Sequence, residues 1–435
     1  MNANINVFKN KNYSLLFYGV LVSNVAHILF NFVMSLYVLR ISEEVFGKDN
    51  APLVQGIYLG LAGLVLVIFM PFGGVLADRV NKVRVMYITD YIRGAFILIV
   101  GLIIYLDPSA SVKLIFLFVM NIVLGLNSAF FNPASGSLLK FIVTEEELPQ
   151  ASSYLHGSMN LQNIAGLILG GIMFSTFSIY VIFFINGLAY VISALTEMFI
   201  KYDYKKKNNL EKTKVFVEMK SGIKYLYNYK PMFSLILMAL SLNFFIVPIL
   251  NNGFPYFIEY GLAEEMNYLF MGFLTVENWY SIILICFSLS GIMMALVLSR
   301  QKKRNSYGTA LMKSIVGFGV AITVLAIIMV LYFTRVLPIN ITLILILVAC
   351  LLLGLASTSF NVPVQIIMQN NINPDQLGKV VSVSSVLSQA LIPFASLLAG
   401  IIISKLSIVL LYVVCTLGII TVVVTYYYKR SYIKL

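Results

Sequence analysis

The sequence predicts an all-α membrane protein with twelve transmembrane helices in two six-helix bundles, related by a parallel pseudo-two-fold repeat. Three observations predict this fold. The 435-residue chain is 60% hydrophobic and only 11% charged, whereas soluble domains are about 45–50% apolar and about 25% charged. Long apolar stretches follow one another along the whole chain. A segment of the first half also recurs in the second half at a constant offset.

The apolar stretches set the number of predicted spans. A helix needs about 20 apolar residues to cross a hydrocarbon core of about 30 Å. The predicted spans are 14–38, 53–77, 83–105, 113–139, 151–176, 179–200, 232–254, 279–299, 309–333, 340–367, 380–404 and 407–427. A longer polar stretch follows the sixth span. We therefore predict an N-terminal bundle over 1–200, a cytoplasmic linker over 201–230 and a C-terminal bundle over 231–435.

The second half of the linker has an amphipathic pattern. Apolar residues recur there at helical spacing: Phe216, Met219, Ile223 and Leu226. Lys220 and Lys224 fall on the opposite face. This pattern predicts a helix lying on the inner membrane surface, although an ordinary hydrophilic linker remains an alternative.

The basic residues predict the orientation of the chain. Of the 30 Lys and Arg residues, 23 fall in the termini and alternate loops on one side, and five fall on the other side. Cytoplasmic loops carry the excess of Lys and Arg in multi-pass proteins. We therefore expect a multi-pass protein of the cell (plasma) membrane with both termini in the cytoplasm. The net charge of +12 then reflects orientation and does not indicate a nucleic-acid partner.

The internal repeat relates the fourth span to the tenth and the fifth to the eleventh. Residues 124–132 read LGLNSAFFN, and a shift of 229 residues aligns them with LGLASTSFN at 353–361. The same shift, without a gap, gives eleven identities over 124–172. Chance similarity between apolar helices is the alternative, but the register continues through a polar loop. Six spans separate each pair, so the repeat is parallel.

A motif between the second and third predicted spans resembles the signature of the major facilitator superfamily, G-x-L-a-D-r-x-g-r-k/r. The matching residues are Gly74, Leu76, Asp78, Arg79 and Lys82. Asn81 and Val83 depart from the pattern. Gly74 would allow close helix approach, the Asp78 carboxylate would accept charge-assisted hydrogen bonds, and the basic residues would latch one conformation. A plain basic loop is the alternative.

Three further stretches resemble the drug:proton antiporter branch that includes macrolide efflux proteins and siderophore exporters. They are FNPA at 131–134, EL-x-x-AS at 147–152 and E-x-x-x-G-x-x-YL at 218–226. The resemblance implies export of amphiphilic, drug-like or macrolide-like compounds by proton antiport with alternating access. A lipid or lysolipid flippase and a siderophore exporter of the same fold remain alternatives. Asn121 stands where many antiporters of the branch have arginine, and 166–171 lacks their proline.

Charged residues inside spans are functional candidates because charge in hydrocarbon is expensive. Asp90 and Arg93 lie three residues apart on one face of the third span. Asp90 either exchanges a proton beside Arg93 or forms a permanent ion pair with it. His27 in the first span is a third proton-coupling candidate. Glu197 and Lys313 fall near cytoplasmic span ends, where we expect their side chains to snorkel to the interface.

Uncharged polar residues predict the lining of a substrate cavity. The candidates are Asn24, Asn31, Asn127, Asn132, Asn243, Asn361 and Gln389. In the family that the sequence resembles, the first, fourth, seventh and tenth spans line a central cavity. Interhelical hydrogen bonds need the same residue types and are the alternative.

Other chemistry finds little support in the sequence. The three cysteines have no C-x-x-C spacing and there are two histidines, so neither a metal site nor a disulfide framework is predicted. G-x-x-x-x-G-K-[ST], H-E-x-x-H and G-x-S-x-G are absent. We therefore expect a monomeric transporter and no enzyme, with an amphiphilic small molecule and membrane lipid as partners and a proton gradient in place of a cofactor.

The predicted orientation can be tested by labelling single cysteines in cells. Cys286, Cys350 and Cys415 are first replaced by serine. A membrane-impermeant maleimide should then label Lys48→Cys in intact cells, and Lys206→Cys only after permeabilisation. Labelling of both variants in intact cells would contradict the orientation, because 48 and 206 are predicted on opposite faces.

Overall fold

The computed structural model describes residues 6–201, 204, 224, 226–263, 265, 274–300, 307–372, 383–384 and 386–428. Within these ranges, the side chains at positions 75, 78, 156, 369 and 370 are not described. The predicted interfacial helix falls mostly outside the described residues.

Twelve long helices follow one another in the described part of the chain, after a short 3-10 helix at Val7–Lys9. The first six are α1 (Lys11–Phe46), α2 (Ala51–Arg79), α3 (Lys82–Tyr105), α4 (Ala110–Ile142), α5 (Leu148–Thr176) and α6 (Ile179–Met198). The second six are α7 (Lys230–Pro248), α8 (Val276–Ser299), α9 (Gly308–Phe333), α10 (Ile339–Asn371), α11 (Ile392–Lys405) and α12 (Ile408–Tyr428). Each helix coincides with one predicted span, and the described residues contain no β-strand.

Eleven helical spans among the described residues are long and apolar enough to cross a membrane, α11 being counted there from Val386 to Lys405. The remaining long helix is α5, which has 29 residues. At 1.5 Å per residue it is long enough to span a bilayer. The middle of this helix carries Asn160, Gln162 and Asn163, so its polarity, not its length, separates it from the others.

Helix α7 continues beyond the predicted end of the seventh span. Two π-helical segments, Ile249–Gly253 and Phe257–Leu262, flank the single α-helical turn Phe254–Tyr256. The continuous helical span is therefore Lys230–Leu262. As a result Glu259, which we predicted in an extracellular loop, lies inside the helix.

The helices group into two compact units. Unit 1 contains Met1–Met34 and Leu61–Phe216, and unit 2 contains Ser35–Gly60 and Val217–Leu435. The end of α1 and the beginning of α2 thus pack with helices of the second half of the chain. Within unit 2, for example, a Cβ atom on Gly56 would lie 2.7 Å from the carbonyl oxygen of Ser396 in α11. The division into bundles at 1–200 and 231–435 stays a prediction.

The repeat is visible in matching helix contacts within each unit. In unit 1, a Cβ atom on Gly125 of α4 would lie 2.9 Å from the Ala62 carbonyl oxygen of α2. In unit 2, a Cβ atom on Gly354 of α10 would lie 2.0 Å from the Phe287 carbonyl oxygen of α8. Gly354 is the repeat equivalent of Gly125. The two glycines therefore make the same close contact, of a fourth helix with a second, in both halves.

Helices α3 and α6 pack closely in unit 1. A Cβ atom on Gly94 of α3 would lie 2.9 Å from the Gly187 carbonyl oxygen of α6, and one on Gly187 would lie 3.1 Å from the Gly94 carbonyl oxygen. Small residues at both positions let the two backbones approach. This contact brings the polar residues of α3 against those of α6.

The predicted close approach of α2 occurs at Gly73 instead of Gly74. A Cβ atom on Gly73 would lie 1.9 Å from the Ala129 carbonyl oxygen of α4, whereas a Cβ atom on Gly74 would have no atom within 4 Å. Successive helical residues point about 100° apart, so only one of two adjacent glycines can face a given neighbour.

Alanine substitutions at these two glycines should have opposite consequences. Gly73→Ala should lower the thermal stability of the detergent-solubilised protein, because overpacking typically costs about 1–3 kcal/mol. Gly74→Ala is the matched control and should leave stability unchanged or higher, since alanine exceeds glycine in helix propensity by about 0.8–1.0 kcal/mol. Equal thermal midpoints for the two variants would contradict the packing described above.

Candidate functional site

A buried ion pair lies on α3 in unit 1, as one reading of the sequence predicted. Arg93 Nη1 lies 3.0 Å from Asp90 Oδ1, and Asp90 is fully buried while Arg93 is 6% exposed. Arg93 Nη2 also donates to Ser128 Oγ of α4 at 3.1 Å. A charge-assisted bond of this geometry keeps both charges neutralised inside the helices.

Aromatic rings enclose the Arg93 guanidinium. Its central carbon lies 4.8 Å from the ring centre of Phe131 in α4 and 5.6 Å from that of Tyr190 in α6. Cations over aromatic faces are stabilised electrostatically, most strongly where water is excluded. Residues of α3, α4 and α6 therefore hold Arg93 in place.

Tyr190 connects the ion pair to His27. The Tyr190 hydroxyl lies 3.2 Å from His27 Nδ1, and Asn31 Nδ2 lies 3.0 Å from His27 Nε2. His27 and Asn31 are both exposed. The structure thus brings all three predicted proton-coupling residues into one cluster, extending from the buried Asp90 to the accessible His27.

Glu197 belongs to the same buried region, and the prediction that it snorkels to the membrane surface is wrong. The residue is fully buried near the end of α6, and neither carboxylate oxygen has a hydrogen-bond partner among the described residues. Asp90 and Arg93 interact with it electrostatically. The position of Glu197 near the end of a span suggested that its side chain could reach the membrane surface. Packing of α6 against α3 and α1 instead encloses the side chain. Asp90 is therefore not the only buried acid of this unit.

The predicted cavity amides of unit 1 fall into two groups. Asn24 Nδ2 donates to Gln162 Oε1 at 3.0 Å, and Asn127 is buried with its Nδ2 donating to the Val123 carbonyl at 2.7 Å. These two make the intramolecular hydrogen bonds that were the alternative to cavity lining. Asn31 and Asn132, in contrast, are exposed.

The predicted amides of unit 2 divide in the same way. Asn243 Nδ2 donates to the Ser388 carbonyl oxygen at 3.0 Å. Asn361 and Gln389 are exposed. Polar side chains exposed within transmembrane helices face a water-filled space far more often than lipid. Two of the predicted amides in each unit therefore have exposed side chains, although Asn31 also contacts His27 and Asn361 Nδ2 donates to Ser357 Oγ at 3.3 Å.

The motif residues between α2 and α3 are arranged around the end of α2. Lys82 is buried and its Nζ donates to the Ala77 carbonyl at 2.6 Å. Arg79 is exposed, and its carbonyl oxygen accepts a hydrogen bond from the Tyr204 hydroxyl. The Asp78 side chain lies outside the described residues. The latch assigned to this motif stays a prediction.

Sequence reasoning missed a second arginine cluster, which lies in unit 2. Arg40 Nε is 2.8 Å from Glu259 Oε1, and Arg40 Nη2 is 2.6 Å from Glu277 Oε1. Arg40 was counted as a loop charge, Glu259 was placed in a loop, and Glu277 precedes the predicted eighth span. The available signal in the sequence was the position of one arginine and two glutamates near the ends of predicted spans.

The described residues contain no group of three His, Cys, Asp or Glu side chains that could hold a metal ion. Cys350 and Cys415 are buried as free thiols. The polar clusters found here are therefore ion pairs and hydrogen-bond networks.

Comparison with known proteins places the chain among membrane transporters. Macrolide efflux protein A of Streptococcus pyogenes is 24% identical over 251 residues, which is 57% of this chain and 60% of that protein. BacE of Bacillus subtilis, named as a proposed bacilysin exporter, is 29% identical over 178 residues, 40% of this chain and 43% of that protein. The chain thus matches less than two thirds of the length of these relatives. The transporter YvqJ of B. subtilis, uncharacterized by name, is 24% identical over 85% of both chains.

Solved structures share the fold at low sequence identity. A bacterial homologue of the iron transporter ferroportin in an inward-facing state has a TM-score of 0.70 and 16% identity, covering 98% of this chain and 100% of that chain. The nucleoside transporter NupG has a TM-score of 0.66 and 12% identity, covering 95% of this chain and 98% of that chain.

These structures confirm the predicted fold class. The sequence model of the Major Facilitator Superfamily matches residues 16–396. With its long apolar helices, matching repeat contacts and this match across most of its length, the chain belongs to the Major Facilitator Superfamily and is a multi-pass membrane transporter, not an enzyme.

Proposed function

We propose that this transporter exports amphiphilic organic compounds in exchange for protons. The observation that carries the proposal is the buried Asp90–Arg93 ion pair, linked through Tyr190 to the exposed His27. An intramembrane carboxylate with a fixed counter-charge and an exposed titratable residue nearby suits proton coupling. The ion pair supplies the site at which protonation changes the stability of one conformation.

Protonation of Asp90 would act through the ion pair. A neutral carboxylic acid no longer balances the Arg93 charge, and breaking one side of a buried pair is strongly destabilising. The conformation that holds the pair would then give way to one in which Arg93 finds other partners. The gradient supplies the energy, since each charge that crosses the field contributes about 2.3 kcal/mol per 100 mV.

The exposed amides support an amphiphilic substrate. Asn31 and Asn132 in unit 1, and Asn361 and Gln389 in unit 2, are exposed on otherwise apolar helices. Scattered polar groups in an apolar lining suit a large, weakly polar molecule. The names of two relatives, a macrolide efflux protein and a proposed bacilysin exporter, support the same substrate class.

The remaining features of the proposal follow from the sequence. We propose location in the plasma membrane with both termini cytoplasmic, action as a monomer, and no cofactor besides the proton gradient. A lipid or lysolipid flippase and a siderophore exporter differ in substrate. An efflux panel in cells lacking other pumps, measured beside lipid flipping in proteoliposomes, separates these possibilities.

Asp90→Asn should abolish proton-driven uptake of an exported compound into inverted vesicles. The amide keeps the shape of the side chain but carries no exchangeable charge, so the ion pair no longer responds to pH. Substrate binding by the purified variant should remain measurable. Uptake is followed after an imposed pH gradient.

The matched control for this experiment is Asp107→Asn. Asp107 is also paired with a base, Lys113, but its side chain is 82% exposed. This variant should transport like the wild type. Full gradient-driven uptake by Asp90→Asn would remove Asp90 from proton coupling.

A further inference from the structure

Glu197 is a buried acid of unit 1 that the mechanism proposed above does not use. Its side chain is fully buried, and both carboxylate oxygens are without a hydrogen-bond partner among the described residues. A carboxylate ion in such a place would have lost its water without gaining a partner, which is strongly unfavourable. Its neutral form avoids most of that cost.

The local charges also favour a neutral Glu197. Among the described residues, Arg93 is the base that interacts with Glu197, and it already makes a 3.0 Å ion pair with Asp90. One guanidinium balances one carboxylate. If Asp90 is ionised, charge balance in the cluster requires a proton on Glu197.

The Arg40 cluster of unit 2 shows a different arrangement of the same groups. There, one arginine contacts two glutamates directly, at 2.8 Å to Glu259 and 2.6 Å to Glu277. The Arg40 side chain is 33% exposed, so water can compensate the excess negative charge. Glu197 has neither the direct contact nor the exposure.

The surroundings of Glu197 provide no substitute for the missing counter-charge. Glu197 lies one residue before the end of α6, where the partial negative charge of the helix dipole disfavours an anion. The nearby hydroxyls of Ser193 and Thr196 donate to the carbonyl oxygens of Gly19 and Ser193, at 3.0 and 2.7 Å. A hydroxyl has one proton to donate, so neither is left for Glu197.

We propose that Glu197 is a proton-binding residue, which holds a proton while Arg93 neutralises Asp90. The charged groups facing it are Asp90 and Arg93 from α3. Tyr190 lies two turns earlier on α6, and His27 of α1 reaches the cluster through Tyr190. Loss of the proton breaks the O–H bond of the Glu197 carboxyl, transfers H⁺ to water, and changes the cluster charge from zero to minus one. The role of this step in transport rests on the proposed function, whereas the protonated state does not.

Infrared spectroscopy of the purified wild-type protein at neutral pH tests the protonated state. The C=O stretch of a protonated carboxyl is separate from the carboxylate bands. We expect such a band in the wild type and its loss in Glu197→Gln. Arg93→Gln should increase the band, because Asp90 then loses its counter-charge and takes up a proton as well.

The matched control is Glu277→Gln, which removes a buried glutamate that already contacts an arginine and should leave the band unchanged. If Glu197→Gln does not fold, Glu197→Asp retains a carboxyl and should shift the band without removing it. Absence of the band from the wild type, or its persistence in Glu197→Gln, would overturn the assignment.

Transport measurements distinguish this inference from the proposed function. If the transporter is proton-coupled, Glu197→Gln should lower the number of protons moved per substrate while exchange of labelled for unlabelled substrate continues. An unchanged proton ratio would leave Glu197 out of coupling. A wild-type protein with no proton-dependent uptake would refute the proposed function, yet the infrared result would still decide the state of Glu197.

Discussion

A charge inside hydrocarbon must be neutralised, and this constraint explains where the polar residues of the chain lie. Asp90 and Arg93 are buried together at 3.0 Å, and Arg40 binds two glutamates at 2.8 and 2.6 Å. Removing one member of such a pair leaves the other uncompensated, which is far more costly than losing a surface pair. In both clusters the buried charges are held by ion pairs, so a change in protonation would rearrange the contacts of the arginine.

Close helix packing builds the cluster of unit 1. The contact between Gly94 and Gly187 draws the backbones of α3 and α6 together. On α6, Tyr190 follows Gly187 by three residues, and Glu197 follows Tyr190 by seven, so both lie near the face that meets α3. On α3, Asp90 and Arg93 lie four residues and one residue before Gly94. A larger residue at either glycine would separate the arginine from the tyrosine ring and from the second acid.

The positions of the helices were predictable because each depends on a local property, the length of an apolar run. The internal repeat then predicted which helices of the two halves correspond. The site was only partly predictable. Spacing on one helix identified Asp90 with Arg93, but no local pattern reports that a neighbouring helix covers Glu197. Glu259 was misplaced because π-helical turns extend α7 beyond its apolar run. The close helix contact was predicted at Gly74 and lies at Gly73. A motif specifies residue types, whereas the side of the helix on which a residue lies changes by about 100° per residue.

Each of the two clusters has one arginine beside two acids, and Glu43 adds a further acid near Glu259, so their electrostatics differ. Arg40 contacts both of its acids and is partly exposed, so its cluster can hold an excess negative charge with the help of water. Arg93 is 6% exposed and contacts one acid, so its cluster can remain neutral only if the second acid binds a proton. In the proposed scheme, the cluster of unit 1 binds or releases a proton whenever Arg93 changes partner. Our proposal therefore assigns proton exchange to unit 1 and ties it to movement of the Arg93 side chain.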